Sequence, residues 1–183
     1  ISEGYLLADG GDPAVAFDAL TGRTEGLIAL DGAGGSPLSR HLLDGSSMVE
    51  THLAAMKSLF DGRLYLELQR HGQSFERVLE PRVLKLATAH NLPIVATNDA
   101  HFSTGDQFDA HDVLSCIAQG VTLSHRDRKR LTPEHYFKTS QDMTRLFSDL
   151  PEAVENTWRI AQRCAVMPRL HDPILPAFDD GSG

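Results

Sequence analysis

Three short apolar runs recur along this chain, each separated from the next by a segment with helical spacing. That alternation constrains the fold more than any single residue. The runs are Gly26-Leu-Ile-Ala-Leu30, Arg63-Leu-Tyr-Leu-Glu-Leu-Gln69 and Leu92-Pro-Ile-Val-Ala-Thr97. The second alternates apolar and polar residues at strand period, and the other two have the short continuous apolar character of buried strands. Between them, residues 37–43, 47–60 and 74–90 read as helices. Ser36 caps the first of these, Pro81 is expected to break or kink the third, and Asn91 closes it. Strand and helix in strict alternation predict a parallel α/β architecture with right-handed crossovers.

The third run leads directly into the sharpest chemical candidate. Leu92-Pro-Ile-Val-Ala-Thr-Asn-Asp-Ala-His-Phe102 places Asp99 and His101 two apart where the strand should end. Ligands and metals gather at the carboxyl ends of strands in such folds. On an extended backbone residues i and i+2 point the same way, so a carboxylate and an imidazole can converge on one divalent ion. On spacing alone, an Asp–His hydrogen bond closing the strand is the simpler reading.

Other candidates are less specific. Asp31-Gly-Ala-Gly-Gly35 is a glycine-rich loop before a helix, but it has neither a dinucleotide-binding order nor a P-loop lysine, so it reads as a tight turn. Glu67 and His71 sit on and after the second strand, with solvent exposure or a salt bridge as their simplest roles. Asp109 and His111 repeat the Asp-x-His spacing on a helix, where such residues diverge. Arg126, Arg128, Lys129 and Arg130 form the one dense basic cluster, either a phosphate contact or a solvated loop around Asp127.

Composition narrows the classes. With 183 residues and 41% hydrophobic content, the chain can build a real core. A net charge of −8 argues against a free-standing nucleic-acid binder. Cys116 and Cys164 fit buried thiols in a reducing compartment, and with no leader-like start they point to a cytoplasmic protein. No stretch suits a membrane span. The start at Ile1 and the end Gly181-Ser-Gly183 read as cut ends of a longer protein.

The ordered set of stretches resembles one family. Gly26-Leu-Ile-Ala-Leu-Asp-Gly32, Arg63-Leu-Tyr-Leu-Glu-Leu-Gln-Arg-His-Gly72 and the Asp99–His101 strand are similar to strands of the polymerase and histidinol phosphatase (PHP) domain at the front of bacterial DNA polymerase III alpha subunits. Leu131-Thr-Pro-Glu-His-Tyr-Phe-Lys138, Leu150-Pro-Glu-Ala-Val-Glu-Asn-Thr157 and Pro173-Ile-Leu-Pro176 resemble the segments that lead on to the polymerase palm.

The resemblance implies part of a distorted (β/α)7 barrel with parallel strands over residues 1–121, a mostly helical post-barrel segment over 122–178 and a tail over 179–183. It implies that Asp99 and His101 match the last pair of the family's metal ligands, with the earlier ligands upstream of Ile1. Ala33 stands where the family has a ligating cysteine, a departure that leaves a degenerate site for Zn, Mn or Mg. The expected function is a structural part of a DNA-directed DNA polymerase, itself Mg-dependent. That part docks the proofreading exonuclease subunit, while DNA is bound mainly by the polymerase core outside this chain. The alternative is a metal-dependent phosphoesterase, a 3′–5′ exonuclease or pyrophosphatase, using Asp99 and His101. A stand-alone small-molecule phosphatase is disfavoured by the post-barrel match.

Overall fold

A computed structural model describes residues 2–7, 15–128 and 130–171. The middle strand, β2 (Leu64–Leu68), pairs in parallel with β1 (Ala29–Asp31) on one side and β3 (Ile94–Ala96) on the other. The predicted α/β alternation is therefore present as a three-stranded parallel sheet. Helices α2 (Pro37–Leu43) and α3 (Met48–Leu59) link β1 to β2, and α4 (Glu76–His90) links β2 to β3. A short helix α1 (Ser2–Leu7) precedes them, and α5 (Phe108–Gln119), α6 (Ser140–Leu146) and α7 (Pro151–Arg163) follow.

The register explains which side chains meet. Asp31 lies opposite Leu66, and Leu66 opposite Ile94, so these three share one face of the sheet. Leu64, Leu66 and Leu68 are buried there in a cluster with Leu38, Leu53 and Val83 from the helices. Each such side chain stabilises the fold by about 1.5–3 kcal/mol through burial. Glu67 and Val95, opposite each other, point to the other face.

Local signals placed several boundaries. Ser36 accepts a hydrogen bond from the Ser39 amide with Pro37 at the first helical position, as expected. Asn91 ends α4 in the left-handed conformation at φ 51°. Two expectations are corrected. The first strand is shorter and later than residues 26–30, and Leu27, before it, and Leu30, within it, are exposed. Pro81 does not break the helix: α4 is continuous through it. The proline removes one amide donor, but Leu79, Val83, Leu86 and Ala87 bury apolar surface on both sides of it, and their combined burial outweighs a penalty of about 3 kcal/mol. Of the helix expected over 13–20, the described part is a 3-10 turn at Phe17–Leu20. Asp12, Pro13 and the segment from 172 onward lie outside the described residues.

The chain beyond α5 packs back onto the sheet. The segment after β3 and the segment 131–138 run side by side: His101 N donates to His135 O at 2.8 Å, and Phe137 N donates to Phe102 O at 2.8 Å. Helix α7 packs on β3, where the buried Asn156 amide donates to Ile94 O at 2.8 Å. Arg70, just past β2, joins three parts at once. It is bidentate to Glu80 on α4 and to Asp149 before α7, donates to Leu146 O, and lies 4.6 Å over the Phe147 ring. Those two carboxylates hold its pKa above the ordinary arginine value.

Candidate functional site: a histidine cluster at the strand ends

Asp99 and His101 leave β3 together, as their spacing predicted. Asp99 Oδ1 is 3.3 Å from His101 Nε2, and both side chains are about half exposed (52% and 40%). His101 opens a row of imidazoles. Its ring centre is 5.5 Å from that of His111 on α5 and 6.0 Å from that of His135. His135 in turn stacks on His71 at 3.9 Å with an interplanar angle of 14°. Of the second Asp-x-His pair, His111 joins this row and Asp109 faces solvent.

His71 is not a solvent-facing strand end. It is 2% exposed, and its Nδ1 is 3.1 Å from Glu76 Oε1. Glu76 also accepts from the backbone amides of His71 and Gln73. Burial pushes the Glu76 carboxyl up, but hydrogen bonds from the His71 side chain, the His71 backbone and the Gln73 amide outweigh it and hold it below the ordinary range. The Glu76 carboxylate meets His71 at Nδ1, and the buried Nε2 has no hydrogen-bond partner among the described residues. His135 has its pKa lowered, first by burial and then by His71. Two stacked imidazoles cannot both carry charge without mutual repulsion.

Glu67 is hydrogen-bonded by its neighbours. It accepts from Thr97 Oγ1 and from Gln69 Nε2, the latter at 3.3 Å. Ala33 is 8% exposed in the loop after β1. Gly32 beside it has φ 118°, and a Cβ there would come within 3.2 Å of Glu67 O, so the loop lies close against β2. The methyl group of Ala33 supplies no donor. Among the described residues, no three His, Cys, Asp or Glu side chains have donor atoms already gathered for a metal ion.

The basic cluster divides. Arg128 has a side chain only 7% exposed and is bidentate to Asp112 on α5, with Nη2–Oδ2 at 2.8 Å. This hydrogen-bonded guanidinium holds Asp112 below its ordinary pKa against the effect of burial. Arg130 also reaches Asp112, at 3.3 Å, and lies 5.1 Å over the Phe108 ring. Arg126 is exposed, and Lys129 lies outside the described residues. Sequence reasoning missed Glu76, Asp112 and His135. Asp112 and His135 act through contacts between distant segments, and His135 lies within the resembling segment 131–138. Cys116 is a buried thiol and Cys164 an exposed one. No helix among the described residues is long and apolar enough to cross a membrane.

No protein-family model matches the chain. It is similar to the DNA polymerase III subunit alpha of Caulobacter vibrioides, 42% identical over 173 residues, covering 94% of this chain and 15% of that protein. The subunit alpha of Rickettsia bellii is 38% identical over 168 residues, covering 90% of this chain and 14% of that protein. That of Escherichia coli K12 is 39% identical over 184 residues, covering 99% of this chain and 16% of that protein. The chain thus spans about one sixth of the length of these relatives. Over most of its length, the homologues of this chain are DNA polymerase III alpha subunits.

Proposed function

We propose that this chain is the PHP-type part of a replicative DNA polymerase alpha subunit. In this reading it stiffens the polymerase and docks its proofreading exonuclease subunit. The observation that carries the reading is 42% identity across 94% of the chain to one such subunit. The three parallel strands, with Asp99 and His101 beyond the carboxyl end of β3, are consistent with a segment of a (β/α)7 barrel followed by a post-barrel segment. DNA-directed nucleotidyl transfer with Mg, and most DNA contact, belong in this reading to the remainder of the polymerase. The cytoplasm is its place of action.

The role is structural because the donors are incomplete: Ala33 supplies no ligand, and Arg128, more buried than Arg126 or Arg130, is committed to Asp112. The deciding experiment is co-purification of the alpha subunit with its exonuclease subunit. Exchange of residues 15–171 for an unrelated sequence of similar length is expected to abolish the complex. Undiminished complex formation would overturn the docking role.

The Asp99–His101 pair favours one rival, a metal-dependent phosphoesterase. That rival predicts metal-stimulated release of nucleotide from a 3′ end or of phosphate from pyrophosphate. Both activities would fall on Asp99→Ala or His101→Ala.

A further inference from the structure

We propose that the segment Pro173-Ile-Leu-Pro-Ala-Phe178 docks into a groove between the start of β1 and the end of α7, as a strap within the chain. The groove has a volume of about 420 Å³, inside the range of about 300–1,000 Å³ that built clefts take. Leu27 and Ile28 line it from the segment before β1, and Cys164 and Val166 from the segment after α7. This lining is open to water: Leu27 is 50% exposed and Val166 is 82% exposed. Apolar side chains gathered around one concavity mark a surface that something covers.

Two guanidinium groups border the same groove. Arg63 donates to Thr24 O, to Leu27 O at 2.9 Å and to Leu59 O at 3.4 Å. Arg163 donates to Tyr65 Oη at 2.8 Å and to Gly62 O at 3.2 Å. Every one of these acceptors is uncharged. Arg70 and Arg128 have carboxylate partners, whereas Arg63 and Arg163 make no ion pair among the described residues. A guanidinium held only by neutral acceptors keeps its attraction for a carboxylate, the stronger partner.

The chain that follows has the matching chemistry. Ile174, Leu175 and Phe178 are apolar, and Asp172, Asp179 and Asp180 flank them with negative charge. Pro173 and Pro176 restrict the segment before it docks, which lowers the cost of ordering it. Reach is sufficient: Val166 lines the groove, and only residues 167–172 separate it from Pro173. A connection that short holds the segment near the groove at an effective concentration on the order of millimolar. Three apolar side chains fall well below the ~800 Å² per partner that a separate protein buries, so a tethered occupant fits where a second copy does not. Docking itself is a property of this chain alone. Its consequence rests on the reading above: the strap fixes the point from which the chain continues into the rest of the polymerase.

The test is peptide-resolved alkylation of Cys164 by iodoacetamide, under native conditions, in the intact polypeptide that carries this sequence. The buried Cys116 is the internal control. The reagent reaches Cys164 when the segment is off the groove, so the rate tracks the undocked fraction. Ile174→Ser with Leu175→Ser should raise that rate about tenfold, as for a segment docked roughly nine parts in ten. Leu27→Ser, on the groove side, should raise it as well and add nothing further to the double replacement. Asp179→Asn with Asp180→Asn should give a smaller rise, about two- to threefold. Cys116 should stay unreactive in every variant, which separates release of the strap from loss of the fold. An unmodified protein that reacts as fast as the Ile174 and Leu175 double variant would overturn the proposal. So would protection that survives both the segment and the groove replacements, since another part of the polypeptide would then cover Cys164. No partner protein enters the assay, so its outcome is independent of the exonuclease complex.

Discussion

Two Asp–His pairs stand at the ends of strands in this molecule, and they differ in almost every physical respect. Asp99 and His101 are two residues apart, meet at 3.3 Å and are about half exposed. Asp31 and His52 are twenty-one residues apart, meet at 2.7 Å and are nearly buried. The first pair is written in the sequence by its spacing, and solvent screens it. The second exists only because α3 folds back over the end of β1, and the low-dielectric surroundings strengthen it. Spacing finds residues that can meet cheaply, whereas packing decides which meetings matter to the fold.

The widest perturbation strikes the strand both pairs depend on. Leu66 is completely buried at the centre of β2, between the strands that carry Asp31 and lead to Asp99. Leu66→Ala should cost about 3–5 kcal/mol of unfolding free energy in a denaturant titration. A loss below about 1 kcal/mol would mean that the sheet face is not the organising core.

Double-mutant cycles then test the contrast directly. Asp31 and His52 should show a coupling of about 1.5–3 kcal/mol, as for a charged hydrogen bond away from water. Asp99 and His101 should show about 0.2–1 kcal/mol, the range of exposed pairs. Equal couplings would erase the distinction between the two strand ends.

The same division runs through what the sequence made legible. Local signals were readable: the strand period of β2, the Ser36 cap and the left-handed Asn91. Asp99 and His101 were readable for the same reason, since two residues on an extended backbone share a side. Pro81 misled because propensity weighs one lost hydrogen bond and cannot weigh the apolar face buried on either side of it. Arg128 was read beside Asp127, its sequence neighbour, but its partner is Asp112, one full helix earlier. Of the two simple roles expected for His71, solvent exposure and a salt bridge, the Glu76 contact matches the second, but nothing local announces that His135 will stack on it. The homologues account for the order of the stretches along the chain, not for these contacts.

Acidity sharpens the comparison with the smallest expected effect. His135 reaches the exposed Asp99–His101 pair through its backbone carbonyl and the buried His71 through its ring. Its pKa lies below the ordinary 6.5, so the folded protein binds fewer protons there than the unfolded chain does. The stability this contributes is fully present above pH 6.5 and is lost as pH falls from 6.5 through the lowered value. Glu76 behaves likewise in a lower window. Its depressed carboxyl gives stability that is present above 4.5 and lost as pH falls through the folded value. Between pH 7.5 and 5.5, Tm should therefore fall on account of His135, before any carboxylate contributes. His135→Gln should flatten that stretch of the Tm curve and leave the steeper fall below pH 4.5 in place. An equal drop in the variant would place the titrating group elsewhere and leave the His71–His135 stack without a role in the acid response.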